Sequence, residues 1–446
     1  VTDRRQRQMC IRDRFGPVYA SGVFVVGIMG LVTRTHRHAV IRTLNHDGEN
    51  RPRGQPTNQL DRLSFRTGGT RYNTRRRKRQ ATTCSRSMSQ YQRSNIQRMQ
   101  GYRWGEQPQG DQCIKLNTNE NPYPPSPAVA QALAEFSSAS LRTYPQPTAD
   151  ELREQIAKLH NLDKEHVVMT HAGDEALRLA ITTFVDPGAA FASADPSYSL
   201  YPVLAQVQDA RIVSIELNAD WSLPRDFAAQ VNAANAQLTC LVNPHAPSGQ
   251  LTASAQLHEV ADNINGVLLI DEAYADFVAP DADYESREFV TQHDNVLVLR
   301  TFSKGYSLAG LRLGYLLGSP QLIAPILEKT RDSYNVDAIS QCLGLAALQD
   351  QAYAQSTWQQ VREQRQLLAQ GLSQLGWSSL TSETNFLLAT PPSNSAGAAS
   401  IYQQLKAANI LVRYFDHPRL NDKLRISVGT AEQNRKLLTL LQRFSD

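Results

Sequence analysis

Residues 300–315, with the sequence RTFSKGYSLAGLRLGY, place a hydroxyl, an amine and a guanidinium directly after the apolar run NVLVL. Lys304 stands between Ser303 and Gly305 rather than among other charges, and Arg312 follows eight residues later. A lysine beside a buried cationic wall has a lowered pKa and becomes a nucleophile toward carbonyl groups. A single lysine is more often a structural or surface residue, so its role depends on the groups that accompany it.

A second set of residues could hold a phosphate. In THAGDEALRLA, Ala172 and Gly173 lie between a predicted strand and a predicted helix, where free backbone N–H groups can bind an anion. Asp174 could instead be a simple N-terminal cap of that helix. Ser303 and Arg312 would add a hydroxyl and a guanidinium, and a phosphate held by all of these donors would be a strong anchor.

A third feature is the carboxylate in LLIDEAYADF. Asp271 ends an apolar run, and a buried carboxylate needs a cation or a hydrogen-bond donor. A metal ion is one alternative, but no histidine is nearby and strand alternation directs Glu272 to the other face. A protonated ring nitrogen is the other alternative, and Tyr274 could then reach a phenolate oxygen of the same ring. One cofactor requires the amine, the phosphate site, the acid and the phenol together, namely pyridoxal 5′-phosphate.

The elements that would position these residues alternate between strand and helix. Helical patterns at 174–184 and 254–264 separate short β-rich runs, which are HVVMT (166–170), RIVSIEL (211–217), LTCLVN (238–243), GVLLI (266–270) and NVLVL (295–299). Several of these runs are apolar on both faces, which indicates an α/β fold with a mostly parallel sheet covered by helices. The loops after the strands are then the expected ligand sites.

The order of predicted strands and helices changes after residue 350, which divides residues 99–446 into separate domains. A long helix (352–376), a strand (385–390), a helix (401–408), strands at 410–415 and 423–428 and a last helix predict a smaller C-terminal α+β domain. We therefore assign residues 141–349 to a large domain, 350–446 to the small domain, and 99–140, rich in Pro, Gly and Asn, to an N-terminal arm packed on the small domain.

Residues 1–98 have a different composition. They hold 21 of the 46 basic residues, nearly all of them arginine, but only 5 of the 42 acidic ones. Their lack of amphipathic periodicity predicts a disordered upstream segment, or one outside the working protein, that can be removed. The apolar run 18–32 is short for a membrane span, and the basic run RRRKRQ (75–80) lacks the interleaved aromatics of a nucleic-acid site. We expect neither a membrane nor a nucleic-acid partner.

The five cysteines show no metal-ligand spacing. Three of them, Cys113, Cys240 and Cys342, lie among apolar neighbours in the acidic body, so buried, reduced thiols are expected, as in a cytoplasmic protein.

Ten motifs, taken in order, resemble fold-type I pyridoxal-phosphate-dependent aminotransferases. The resemblance runs from about Gly101 to the C-terminus and rests on LNTNENPYPPSP, RTYPQP, DEALRLA, DPSYSLYPV, NPHAPSG, IDEAYADF, RTFSKGYSLAGLRLGY, SETNF, ILVRYFD and LRISVGT. It implies a large domain with a mostly parallel sheet and a smaller C-terminal α+β domain. Within this family the chain is most similar to members that act on histidinol phosphate.

The resemblance also implies a role for each matching residue. Lys304 would bind the cofactor covalently, Asp271 would keep the ring nitrogen protonated, and Tyr274 would bond the ring oxygen. Tyr198 would stack on the ring. The phosphate would be held by Gly173 and Asp174 through their backbone, by Ser303 and Arg312, and by Tyr144 of a neighbouring subunit in a homodimer.

Three further residues are implied in substrate binding. Arg425 and Arg413 would grip anionic groups, and Tyr102 would contact the substrate phosphate, although a packing or surface role stays open for Arg413 and Tyr102. The sequence departs from the family at NPHAPSG, where Ala246 replaces an asparagine that bonds the ring oxygen. The lost bond, about 1 kcal/mol, would not abolish activity, and His245 or Asn243 could replace it.

The activity that these motifs imply is transamination of L-histidinol phosphate with 2-oxoglutarate, giving imidazole acetol phosphate and glutamate in L-histidine biosynthesis. An aromatic aminotransferase or a threonine-phosphate decarboxylase of the same fold shares nearly every cofactor residue. Two alternatives from another class are a nucleic-acid binder that uses the basic segment and a catalytically inactive carrier of the cofactor. The intact Lys304 argues against an inactive carrier.

Overall fold

The computed structural model describes residue 89, residues 91–108 and residues 112–444. The predictions for the apolar run 18–32, the basic run 75–80, Cys10 and Cys84 lie outside the described residues. Within the described ranges, none of the helices combines the length and the hydropathy that a membrane span requires.

The strands of the described residues form three sheets. In chain order they are β1 (Ile114–Lys115), β2 (Val167–Thr170), β3 (Ala190–Asp195), β4 (Arg211–Glu216), β5 (Ala236–Val242), β6 (Val267–Asp271), β7 (Val296–Thr301), β8 (Gly314–Gly318), β9 (Ser378–Ser379), β10 (Phe386–Thr390), β11 (Ile410–Leu411), β12 (Arg413–Tyr414) and β13 (Leu424–Ser427). The large sheet has the order β2-β8-β7-β6-β5-β3-β4. Only β8 runs antiparallel to its neighbours in this sheet, so the predicted mostly parallel sheet is confirmed.

Helices cover this sheet and connect its strands. The α-helices are α1 (Ser94–Arg98), α2 (Pro127–Glu135), α3 (Asp150–Leu159), α4 (Ala172–Phe184), α5 (Leu200–Val207), α6 (Phe227–Ala233), α7 (Ser254–Asn263), α8 (Ser286–Gln292), α9 (Pro320–Pro325), α10 (Ala338–Gln349), α11 (Gln351–Gln374), α12 (Ala398–Ala407) and α13 (Ala431–Arg443). Short 3₁₀ turns occupy Ser138–Arg142, Lys164–His166 and Ala275–Phe277, and a π-helical turn occupies Ile326–Thr330.

Both faces of the large sheet are buried, as continuous apolar strands require. Along β6, Leu268 and Ile270 pack into one hydrophobic cluster and Leu269 packs into another on the opposite face. Along β7, Val298 packs into the first of these clusters and Leu299 into the second. A strand buried on both faces reads as an uninterrupted apolar run, which explains why LLI and LVL identify the centre of the sheet.

The C-terminal part builds a smaller four-stranded sheet with the order β12-β13-β10-β9. The predicted strand 410–415 is divided: β11 pairs with β1 of the arm, whereas β12 pairs with β13. Leu116, which follows β1, packs into the apolar cluster between this sheet and helices α11, α12 and α13. The arm therefore crosses this part of the chain through backbone pairing as well as through side-chain burial.

A buried charged cluster fixes the loops at the carboxyl ends of β6 and β7. Arg300 on β7 donates to Glu272 over 3.0 Å and also contacts Asp276, and Tyr284 donates to Glu272 over 2.8 Å. Glu272 thus faces away from its neighbour Asp271, as strand alternation predicts. A side chain at Gly305 would overlap with Asp276, so a glycine lets the loop after β7 approach this cluster.

Helix α1 lies inside the segment that the sequence assigned to residues 1–98, and the sequence pattern did not indicate it. Asn95 is buried, and its side chain donates to the carbonyl oxygens of Gln206 and Val207 over 2.8 and 3.3 Å. Arg93 donates to the same Val207 oxygen over 2.6 Å. The last carbonyls of a helix have no partner within the helix, so these contacts satisfy the end of α5.

We expect a chain that begins at Gln97 to be less stable than one that begins at residue 89, by about 1 to 2 kcal/mol in the free energy of unfolding, because it lacks Asn95. Urea unfolding of the two chains measures this difference. Asn95→Ala in the longer chain should reproduce most of it, whereas Ser94→Ala, at an exposed position, should not. Equal stability of all of these chains would show that helix α1 contributes nothing.

Candidate active site

The amine of Lys304 lies where two neighbouring parallel strands end. Lys304 follows β7 by three residues, and its Nζ donates to the backbone oxygen of Thr118 in the arm over 2.9 Å. Burial lowers the pKa of Lys304 to about 8, and the charges of Arg425, Lys115 and Arg312 act in the same direction, while Glu120 opposes them. A lysine with this pKa has an appreciable fraction of free amine near neutral pH and can act as a nucleophile or a base.

Asp271 ends β6, beside β7, and is 4% exposed. One of its oxygens accepts from the Tyr201 hydroxyl over 2.7 Å and the other from the backbone N–H of Ala273 over 3.1 Å. Burial raises the pKa of Asp271 to about 6, while the Tyr201 hydrogen bond opposes this rise. Among the described residues, no cationic side chain forms an ion pair with Asp271, so a cation that reached it would stabilise its charged form.

Three predicted tyrosines lie around this carboxylate. The Tyr274 ring is 5.9 Å from the Lys304 Nζ, and burial raises the pKa of its hydroxyl. Tyr198 contacts Tyr102 edge to face at 6.0 Å between ring centroids, and it contacts Tyr201 in the same way at 5.5 Å. Tyr102 thus joins the aromatic side of the site from the N-terminal arm.

Three of the predicted phosphate-binding residues, Gly173, Asp174 and Arg312, lie together at the start of α4. Gly173 and Asp174 occupy its first turn, and Arg312 donates to the Asp174 carboxylate over 3.0 Å. Ser303 is buried, and both its backbone N–H and its hydroxyl contact Thr301. The structure therefore brings a helix N-terminus, a serine and an arginine to the same edge of the sheet, although the Arg312 guanidinium is engaged by Asp174.

The two predicted substrate arginines face each other on neighbouring strands. Arg413 on β12 and Arg425 on β13 are direct antiparallel partners, and both guanidinium groups lie 5.3 Å from the ring of Phe415. Among the described residues, no carboxylate pairs with either arginine, and the buried Nε of Arg425 has no hydrogen-bond partner. Like charges directly across a strand pair repel, so this arrangement is suited to an anionic ligand.

The two side chains expected to compensate for Ala246 have other hydrogen-bond partners in this structure. Ala246 is buried, and His245 uses both ring nitrogens, one toward Ser248 Oγ at 2.7 Å and one toward the Pro196 oxygen at 3.1 Å. Asn243 donates to the Thr252 oxygen and accepts from the Thr252 N–H. In this structure both side chains are therefore engaged away from the ring-oxygen position, and replacement of the missing asparagine by His245 or Asn243 stays a prediction.

Tyr144 lies apart from these residues. It is 80% exposed and stacks on Tyr334 with ring centroids 4.5 Å apart. Of the three cysteines in the described ranges, all of them free, Cys240 is buried as expected, whereas Cys113 and Cys342 are partly exposed, so the expectation of burial is wrong for these two.

Several residues of the site were not singled out from the sequence. The Tyr201 hydroxyl donates to Asp271. Tyr201 is the second tyrosine of DPSYSLY, and its spacing of three residues from Tyr198 was the sequence feature that could have indicated it. The backbone oxygen of Thr118 accepts a hydrogen bond from the Lys304 amine, and the Asn119 side chain donates to the Tyr274 hydroxyl oxygen over 3.0 Å. Both lie in LNTNENP, which was matched as a motif without separate roles for its residues. No group of three or more acidic, histidine or cysteine side chains that could hold a metal ion occurs in the described part of the chain.

The sequence of residues 111–441 matches the protein family described as aminotransferase class I and II. A Nostoc protein named histidinol-phosphate aminotransferase 1 is 43% identical over 356 residues, which cover 80% of this chain and 98% of the relative. A Geotalea daltonii protein named histidinol-phosphate aminotransferase is 42% identical over 352 residues, which cover 78% of this chain and 98% of the relative.

Two solved structures share the fold. Histidinol-phosphate aminotransferase from Sinorhizobium meliloti, in complex with pyridoxal-5′-phosphate, superposes with a TM-score of 0.74 at 23% identity, covering 80% of this chain and 98% of that one. A Thermus thermophilus aspartate aminotransferase mutant gives a TM-score of 0.66 at 21% identity, covering 80% of this chain and all of the other. These likenesses confirm the fold class predicted from the sequence.

Proposed function

The chain belongs to the class I and II aminotransferase family, and from this premise we propose that it is a histidinol-phosphate aminotransferase. It transfers the amino group of L-histidinol phosphate to 2-oxoglutarate, giving imidazole acetol phosphate and glutamate, in L-histidine biosynthesis. The observation that carries the substrate assignment is the pair of facing arginines, Arg413 and Arg425, which form no ion pair with a carboxylate among the described residues. The charge of Arg425 also helps to lower the pKa of Lys304, which indicates that this arginine is near the reactive amine.

The cofactor is pyridoxal 5′-phosphate, and the site suits it. Asp271 is a buried carboxylate without a cationic partner among the described side chains, which is what a protonated pyridine nitrogen requires. When bound, the cofactor supplies an aldehyde for amino-group transfer and a ring that withdraws electrons from the substrate carbon. Asp271 would hold the ring nitrogen, Tyr274 the ring oxygen and Tyr198 the ring face.

The phosphate of the cofactor would be held at the start of α4. Its donors would be the backbone N–H groups of Gly173 and Asp174, the Ser303 hydroxyl and the Arg312 guanidinium, and the contact of Arg312 with Asp174 supports this assignment. Arg312 would then divide its donors between Asp174 and the phosphate. The Lys304 amine points to the arm, where it donates to the Thr118 oxygen.

Lys304 has two tasks in this proposal. Its amine would hold the aldehyde of the cofactor, and as a free amine it would remove the proton from the substrate carbon that carries the amino group. The pKa of about 8 suits a group that must both release and accept a proton. The Thr118 carbonyl, 2.9 Å away, gives the amine an acceptor that directs it toward the arm side of the site.

The arginines explain how one site accepts two substrates. Histidinol phosphate has a phosphate ester where glutamate has a carboxylate, and a guanidinium pairs with either anion. Tyr102, in contact with Tyr198, would add a hydroxyl to the phosphate end from the arm. The alternative role of Tyr102 is packing against Tyr198.

Substituting the two arginines should separate the half-reactions. We expect Arg425→Ala to damage the reactions of both histidinol phosphate and glutamate, each by about 3 kcal/mol or roughly a hundredfold, because a buried anion loses its charge partner. We expect Arg413→Ala to impair histidinol phosphate and largely spare glutamate. Each half-reaction is followed by the absorbance change of the bound cofactor. Arg435→Ala, at an exposed position on α13, is the matched control.

Equal losses for both substrates in Arg413→Ala would contradict a phosphate-specific role for Arg413. An undiminished glutamate reaction in Arg425→Ala would contradict the shared role of Arg425.

We further propose that the enzyme is a cytoplasmic homodimer. The exposed pair of Tyr144 and Tyr334, with Leu133 and Leu141 also more than half exposed, supports a subunit contact in which Tyr144 reaches the neighbouring phosphate site. Free cysteines at 113, 240 and 342 agree with a reducing compartment. Sedimentation equilibrium tests the dimer, and a monomer mass at micromolar concentration would contradict it.

Comparing substrates tests the functional proposal as a whole. We expect kcat/KM for histidinol phosphate to exceed the values for phenylalanine and tyrosine by at least about a hundredfold, because only a phosphorylated substrate uses both arginines. Carbon dioxide release from threonine phosphate, measured in the same preparation, should be absent. A preference for phenylalanine or tyrosine would identify an aromatic aminotransferase, and decarboxylation of threonine phosphate would identify the decarboxylase.

A further inference from the structure

The ring-oxygen side of the site has an incomplete set of donors. Ala246 offers no hydrogen bond, and His245 and Asn243 are both occupied by other partners. Tyr274 is therefore the side chain on which polarisation of the ring oxygen depends in this chain. Whether the Tyr274 hydroxyl can donate to the ring oxygen depends on the direction in which its proton points.

Hydrogen bonding determines which way the Asn119 side-chain amide faces. The Ser427 hydroxyl accepts from the Asn119 backbone N–H over 2.9 Å and donates to Asn119 Oδ1 over 2.9 Å. The Ser427 hydroxyl still has its own proton to donate, and Asn119 Oδ1 is the acceptor that this proton reaches, so the oxygen of the amide belongs at Ser427. The amide Nδ2 is thereby directed at Tyr274, where it donates to the hydroxyl oxygen over 3.0 Å.

Several contacts keep Asn119 in this position. It is 1% exposed, its backbone oxygen accepts from Asn385 over 2.9 Å, and its φ of 56° is one that asparagine tolerates better than most residues. Ser427 lies two residues after Arg425 on β13, so the same contacts connect the arm, the Tyr274 loop and a strand that carries a proposed substrate arginine.

A tyrosine hydroxyl has one proton. Since Asn119 donates to the oxygen of Tyr274, the Tyr274 proton must point to a different acceptor. We propose that Asn119 is a positioning residue that directs the Tyr274 O–H toward the ring oxygen of the cofactor and so compensates for the asparagine missing at Ala246. This inference rests on the proposed function, because the ring oxygen is that of pyridoxal phosphate.

The effect should be visible in the pH titration of the absorbance of the bound cofactor. A donor to the ring oxygen stabilises negative charge there, which favours the form in which the nitrogen joined to Lys304 has lost its proton. Weakening that donor lets the nitrogen keep its proton to higher pH, so the apparent pKa rises. Substituting glycine at position 119 leaves unchanged the charged and titratable groups that act on Lys304 and Tyr274, namely Glu120, Arg425, Lys115, Arg312, Asp271 and Tyr102.

We expect Asn119→Gly to raise this apparent pKa by about 0.5 to 1 unit, the size of one net hydrogen bond. Glycine accepts the backbone conformation of residue 119 without strain. Tyr274→Phe should raise the apparent pKa further, and the double variant should match Tyr274→Phe alone, because Asn119 acts through Tyr274. Asn121→Gly, in the same loop but without a Tyr274 contact, is the matched control and should leave the value unchanged.

An unchanged titration in Asn119→Gly would overturn the inference, as would an equal shift from Asn119→Gly in the Tyr274→Phe background. If the glycine variant cannot be purified, Asn119→Asp serves instead. Its carboxylate would accept the Tyr274 proton, so it should raise the apparent pKa at least as far, and more in the presence of Tyr274 than in its absence. An unmodified enzyme that shows no absorbance from bound cofactor would overturn the proposed function together with this inference.

Discussion

Replacing Lys304 with alanine is expected to reduce turnover by at least about 10⁴-fold while the fold persists. The substitution removes both the covalent attachment and the proton-transferring amine. It leaves Asp271, Tyr274 and the donors at the start of α4 in place, so the cofactor should still bind without a covalent bond. Steady-state turnover of histidinol phosphate and far-ultraviolet circular dichroism measure the two effects.

A covalent readout accompanies this prediction. Borohydride reduction followed by mass spectrometry should attach the cofactor to the peptide that contains Lys304 in the unmodified enzyme, and to no peptide in Lys304→Ala. Lys164→Ala removes a lysine that pairs with Glu154 on the surface, and it should keep full turnover. Retention of more than about a hundredth of the turnover in Lys304→Ala would refute the assignment of Lys304.

The second large effect is expected for Asp271→Asn, which should slow the single-turnover reaction by about 10²- to 10³-fold. An amide cannot hold a protonated ring nitrogen by charge, so the ring withdraws electrons less well when the substrate proton is removed. Binding of the cofactor should suffer less, because its phosphate anchor is unchanged. Stopped-flow absorbance measures the rate, and equilibrium dialysis measures the affinity.

Glu272→Gln provides the matched control for this prediction. It makes the same change of charge at the adjacent residue, which faces Arg300 instead of the site. Because Arg300 would lose one of its two carboxylate partners, we expect a loss of stability in thermal unfolding but a single-turnover rate within a few-fold of the unmodified enzyme. Near-normal rates in Asp271→Asn would show that another group sets the protonation of the ring.

The strands that carry the site could be predicted because they are buried on both faces. The runs ending at Asp271 and preceding Lys304 are uninterrupted and apolar, so their place in the sheet follows from composition. Strand β3, with the sequence AFASAD, was missed because alanine and serine have little preference for strands. Strand β8, GYLLG, was missed because it continues directly from the motif around Arg312, which was interpreted as a binding loop.

The division of residues 410–415 shows a different limit. One apolar run supplies β11 and β12, which belong to different sheets, and only the pairing partners β1 and β13 distinguish them. Strand β1 lies about 300 residues before β11 in the sequence, and a partner at that distance is not visible in local periodicity. Helix α1 was also missed because its contacts are distant in sequence. Its Asn95 side chain donates to a carbonyl oxygen of α5, and its five residues show no apolar stripe that would have indicated a helix.

Within the site, single chemical groups could be predicted, but the contacts that orient them could not. Lys304, Asp271 and Tyr274 could be identified because their residue types and their places after apolar strands are visible in the sequence. The hydrogen bond from Asn119 to Tyr274 joins residues 155 positions apart and depends on the amide orientation imposed by Ser427. The engagement of His245 and Asn243 by other partners is likewise a property of the folded loop, and it decides the consequence of Ala246.

The most direct measurement of the proposed function is a single-turnover experiment without 2-oxoglutarate. Adding L-histidinol phosphate to the purified enzyme should remove the visible absorbance of the lysine-bound cofactor stoichiometrically, and later addition of 2-oxoglutarate should restore it. Histidinol, which lacks the phosphate ester that Arg413 and Arg425 would bind, should convert the cofactor at least about a hundredfold more slowly. Absorbance that is unaffected by histidinol phosphate, or that responds equally to histidinol, would contradict the proposed function.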